Sequence, residues 1–139
     1  MKVIVDTSVW SLALRRDKQS APASLEVQEL QLLILDRRVQ MIGPIRQELL
    51  SGIRSDAQFK KLRKHLESFP DLPIHTQHHV TAAKFFNLCR SQGIQGSNTD
   101  FLICALAVRN KFSIYTTDQD FVQFSKHIPI ALHRAEQSR

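Results

Sequence analysis

Lys2-Val3-Ile4-Val5-Asp6-Thr7-Ser8-Val9-Trp10 is the stretch that decides the fold. A short β-branched run ends in a carboxylate, and the pattern then turns helical, with Val9, Leu12 and Ala13 on one side. This reads as a buried strand over Lys2 to Val5 that delivers Asp6 to the rim of a sheet, followed by a helix from Thr7 to Leu14. Phe112-Ser113-Ile114-Tyr115-Thr116-Thr117-Asp118 repeats the design far down the chain. Two such strands, side by side and parallel, bring Asp6 and Asp118 towards each other. In open α/β folds, ligand sites lie beyond the carboxyl ends of parallel strands.

Between these strands the punctuation is regular. Asp17 to Pro22 reads as a loop, and Ser24 suits the cap of a second helix rich in leucine. Val39 to Ile42 is a short strand broken by Gly43-Pro44, with Pro44 placed for a first helical turn. That helix carries Glu48 and stops at Gly52. Asp56 suits the cap of a fourth helix reaching Phe69. A fifth runs from Gln77 to Arg90, and a sixth, capped by Ser97, is apolar from Phe101 to Val108. A last short helix spans Asp118 to Phe124. Ile128 to Leu132 reads as an edge strand, the place where Pro129 is tolerated. Alternating strands and helices predict a three-layer α/β/α sandwich around a mostly parallel sheet of four to five strands. The expected domain covers residues 1–132, with 133–139 a frayed tail.

Composition bounds the function. The chain has 139 residues, enough for one domain with its own core. Its formal charge is +6, from 19 basic and 13 acidic residues, which favours a polyanionic partner. Cys89 and Cys104 lack CxxC spacing and read as buried free thiols. With no secretory leader and no membrane-length apolar run, the expectation is a cytoplasmic protein without a membrane partner. The six histidines form no zinc motif, and neither a Gly-rich phosphate loop nor a nucleophile elbow occurs.

Four acids stand out: Asp6, Glu48, Asp100 and Asp118, with Asp120 two residues beyond the last. Carboxylates gathered around one cleft repel unless cations neutralise them, and all-oxygen donors suit Mg²⁺ or Mn²⁺. Each has a plainer role open to it. Asp6 suits a cap for the first helix, and Glu48 a solvated helix charge. Asp100 suits a capping box with Ser97, and Asp118 and Asp120 suit turn positions. Arg54, Lys60, Lys61, Arg63, Lys64 and His65 form a basic cluster suited to phosphate contacts or to an ordinary solvated face. Arg15, Arg16 and Lys18 form a second such group. Trp10 reads as packing.

The segments Ile4 to Trp10, Gln47 to Gly52, Thr99 to Ala105 and Tyr115 to Phe121, in that order and spacing, resemble PIN-domain ribonucleases, most of all VapC-type toxins of bacterial toxin–antitoxin pairs. The resemblance spans essentially the whole chain. It implies a Mg²⁺-dependent endoribonuclease, with Mn²⁺ a possible substitute. Asp6, Glu48, Asp100 and Asp118 would be the catalytic, metal-binding acids, supported by Ser8 and Asp120, the latter capping the last helix. The products would carry a 5′-phosphate and a 3′-hydroxyl. The partners implied are a small antitoxin, an RNA of the tRNA or rRNA class, and a second copy in a homodimer. Three other readings compete. An aspartyl phosphatase would need a second Asp where Ser8 stands. The others are a non-catalytic RNA- or partner-binding module and a housekeeping RNA-processing nuclease.

Overall fold

The computed structural model describes residues 1–15 and 22–135. The expected loop from Asp17 to Pro22 lies outside them except for Pro22, as do Arg16 and the end of the tail.

Strands β1 (Val3–Val5), β2 (Val39–Gln40) and β3 (Ser113–Tyr115) form a parallel sheet in the order β2-β1-β3. The central strand pairs Val3 with both Val39 and Ser113, and Val5 with Tyr115. Its residues are fully buried, as a strand covered on both faces requires. Among the described residues seven helices surround the sheet: α1 (Thr7–Arg15), α2 (Leu25–Leu35), α3 (Gly43–Leu50), α4 (Asp56–Leu66), α5 (Thr76–Ser91), α6 (Asn98–Asn110) and α7 (Asp120–Ser125). The three-layer parallel arrangement matches expectation. The strand number does not, because three strands form among the described residues rather than four to five.

The missing edge strand has a local cause. Pro129 has no N–H to donate, and Ile130 N–H folds back onto Ile128 O at 2.9 Å. Pairing survives as one bridge, Ile114 to Leu132, in which Ile114 N–H donates to Ala131 O and His133 N–H to Ile114 O. His133 is therefore held against β3 instead of lying in the tail. Its Nε2 sits 2.7 Å from a carboxylate oxygen of buried Glu29 on α2.

Helix ends follow side-chain caps. Ser24, Ser55 and Ser97 each accept an N–H from the first turn of the helix that follows. Ser55 takes the role expected of Asp56, which instead pairs with Lys60 at 3.1 Å. Helix α4 also ends three residues early, at Leu66. The interior is dominated by β1, the apolar face of α6, and Phe101, Phe121 and Phe124. Gly96 lies hard against that aromatic group. A Cβ there would fall 2.5 Å from the Phe124 ring, so a glycine is what lets the loop before α6 approach so closely. Trp10 is buried and meets Phe69 edge-on, the packing role expected of it.

Candidate active site at the strand ends

The carboxyl ends of β1 and β3 are joined by a compact set of hydrogen bonds. Asp6 N–H continues the ladder to Tyr115 O at 2.9 Å, which fixes the backbone at the rim. The Asp6 carboxylate is buried, and its Oδ2 accepts from Ser8 Oγ and Thr116 Oγ1, each at 2.8 Å. Ser8 N–H lies at a longer 3.4 Å, so the helix-capping role open to Asp6 is made only weakly. Among the described residues every side-chain contact to Asp6 falls on Oδ2, which leaves Oδ1 as the oxygen available to a ligand.

The same hydroxyls position the other strand end. Ser8 Oγ accepts from Thr117 N–H at 3.1 Å, and Thr116 Oγ1 accepts from Asp118 N–H at 3.0 Å. Asp118 Oδ1 in turn accepts from Asp120 N–H at 2.9 Å. Asp118, not Asp120, therefore caps the entry to α7. The helix begins at Asp120 rather than Asp118 because the residues before it are occupied by this turn. Asp120 is exposed in the first turn, where a negative charge complements the helix dipole.

Asp100 enters from α6. It completes the capping box, with Ser97 N–H donating to its Oδ2 at 3.1 Å and Ser97 Oγ accepting from its N–H at 3.0 Å. Burial nevertheless pushes its carboxyl above the ordinary carboxylate range, and the charges of Asp6 and Asp118 push in the same direction. Three of the four acids thus share one electrostatic neighbourhood. Glu48 stands apart. It is exposed on α3 and reaches the site through Thr7, whose Oγ1 donates to its Oε1 at 3.0 Å. The roles of Thr7 and Thr116 escaped the sequence reading, although Thr116 directly follows β3 and Thr7 opens α1 just after Asp6, the positions that carry the rim.

The donors are all oxygens, the choice of a hard divalent cation. Among the described residues, no three His, Cys, Asp or Glu side chains stand close enough to hold an ion unaided. Mg²⁺ commonly takes one or two carboxylates and keeps several waters, so the set fits that ion with water completing its shell. The thiols contribute nothing: both are free and buried, and burial pushes Cys104 far above the ordinary thiol range. No helix among the described residues is long and apolar enough to cross a membrane.

Comparison with known proteins gives a consistent answer. The model of the PIN domain family matches residues 3–127. The chain is 30% identical over 123 residues to the VapC ribonuclease Mb1587 of Mycobacterium bovis, covering 86% of this chain and 88% of the relative. The same figures hold for ribonuclease VapC11 of Mycobacterium tuberculosis. Among solved structures, FitAcB from Neisseria gonorrhoeae superposes with a TM-score of 0.75 at 22% identity, covering 96% of this chain and 97% of that one. VapBC2 from Rickettsia felis, bound to a DNA fragment from its promoter, gives 0.75 at 17% identity, covering 96% and 98%. At those identities the likeness speaks for the fold.

Proposed function

This chain belongs to the PIN-domain family, and from that premise we propose that it is a Mg²⁺-dependent endoribonuclease, the toxin of a toxin–antitoxin pair. The observation that carries the reading is the joining of β1 and β3 through Thr116 and Asp6, with Asp100 raised by both Asp6 and Asp118. Carboxylates that repel across a half-buried cleft cost stability unless a cation or a function retains them. The ribonuclease names of the two 30%-identical relatives supply the reaction class.

In this mechanism Asp6, Asp100 and Asp118 at the strand ends, with Glu48 on α3, are the residues that would hold the ion, water completing its shell. Such an ion, Mg²⁺ or Mn²⁺ in its place, would supply Lewis-acid polarisation of a phosphate oxygen and ease the deprotonation of the attacking water. The chain's own contribution is positional. Ser8 and Thr116 lock one oxygen of Asp6, so the other keeps a fixed aim. Asp118 is oriented through its own N–H on Thr116 and by the turn into α7. Thr7 steadies Glu48 against the rim. Cleavage then leaves a 5′-phosphate and a 3′-hydroxyl on an RNA of the tRNA or rRNA class. The VapC-type kinship supports a small antitoxin as inhibitor and a homodimer as the working form.

The test is cleavage of total tRNA and ribosomal RNA by the purified chain, with Mg²⁺ and with chelator, beside Asp6→Asn. Cleavage that requires both Mg²⁺ and Asp6 is the expected result. Failure to cut any RNA with Mg²⁺ or Mn²⁺, together with no metal bound by calorimetry, removes the nuclease and leaves a binding module.

A further inference from the structure

The basic cluster around α4 is not one surface. The helix divides it. Lys60 is turned to Asp56 and neutralised at 3.1 Å. Lys61, Lys64 and His65, at spacings of three and four residues, share another face and line a groove of about 1010 Å³. All three are exposed, and among the described residues none of their side chains makes a hydrogen bond or ion pair. Arg15, at the end of α1, lines the same groove.

Glu48 lines it too, so the groove opens directly onto one of the four acids. Its apolar lining includes Leu14 and Leu62. Cations with unpaired side chains, apolar side chains and a candidate catalytic carboxylate in one lining describe a track for a chain that is anionic along its backbone and apolar on the faces of its bases.

We propose that this groove carries single-stranded RNA towards the strand-end pocket, with Lys61 and Lys64 on its phosphates. The inference rests on the nuclease reading and adds the path of its substrate. A duplex keeps its base faces stacked away from such a floor, whereas an unpaired strand can lay them on it. Each phosphate neutralised releases condensed counterions, so the groove should announce itself as salt dependence.

The experiment measures binding of a labelled single-stranded RNA of mixed sequence, in chelator so that no cleavage occurs, across a series of salt concentrations. The wild type is compared with Lys61→Ala/Lys64→Ala and with Lys84→Ala/Lys126→Ala, which removes the same charge elsewhere. The expected result is a log–log salt slope shallower by about 1.4 in the first variant, about 0.7 per lost contact, with the second close to wild type. All four lysines are exposed, and thermal melts confirm that each variant is folded. Equal slopes in the two variants overturn the track and leave the groove to a polypeptide partner. Absence of RNA cleavage by the wild type in Mg²⁺ is a separate failure, that of the nuclease itself.

Discussion

The two sides of the candidate site are built on opposite plans. On the sheet side, Asp6 is buried and pinned by two hydroxyls from two different elements, and Asp118 and Asp100 are each held by a turn or a capping box. On the α3–α4 side, Glu48, Lys61 and Lys64 are exposed, and Glu48 has one hydroxyl contact. On the proposed function, the difference separates two tasks. Chemistry at a phosphorus atom demands fixed aim, supplied by short hydrogen bonds inside a rigid sheet. Capture of a flexible polymer is served by long side chains that keep their freedom until charge meets charge.

The largest expected effect strikes the fixed side directly. Asp6→Asn keeps the shape and removes the charge, and it should lower the cleavage rate by about 10³-fold or more, ~4 kcal/mol of barrier. A rate within tenfold of wild type would make Asp6 a structural residue. Thr116→Val removes a hydroxyl that touches Asp6 without replacing any acid, and activity should fall about 10–100-fold, the usual effect of losing such a support. Thr116→Ser should restore most of it. A Mg²⁺ titration that shifts to higher concentration in the valine variant alone marks a positioning role; an unshifted curve with a lowered melting temperature marks a purely structural one.

On the open side the matching deletion should do less. Thr7→Val breaks one exposed hydrogen bond to Glu48, worth about 1 kcal/mol or ~5-fold in rate. If Thr7→Val proves as damaging as Thr116→Val, the contrast between the two sides collapses. The smallest effect is on stability without metal. Asp100 sits above its unfolded value in the fold, so its ionisation works against folding as pH rises through the folded value, and the penalty is absent below the unfolded one. Asp100→Asn keeps an oxygen for Ser97 N–H and loses the charge. It should melt slightly higher than wild type at neutral pH and equally at acidic pH, as scanning calorimetry in chelator would show. A variant that melts lower at neutral pH would mean the capping box prefers the charge over its relief.

The sheet and its acids were legible because they rest on patterns within a few residues. Val3-Ile4-Val5 before Asp6 and Ser113-Ile114-Tyr115 before Asp118 announce strands that end in a carboxylate, and Ser97 with Asp100 announces a cap. What escaped depends on contacts across the fold. Thr116 matters because it meets Asp6 across a separation of 110 residues, and no local periodicity records that meeting. The extra strand failed where Pro129 and the backbone turn at Ile130 outweighed the apolar pattern. The role expected of Asp120 went to Asp118 because a side chain two positions earlier reached the N–H first. The basic cluster read as one feature until α4 turned Lys60 and Lys61 to different neighbours.

The Asp6–Thr116 contact also sets a clock. The central strand is made at residues 3–5, yet its partner β3 comes at 113–115. While the chain is being synthesised from its N-terminus, β1 emerges early and waits for nearly everything else before the rim can close. A half-made chain holds Asp6 and Glu48 but neither Asp100 nor Asp118. On the proposed function, topology alone would therefore withhold cleavage from the nascent protein until the chain is almost complete.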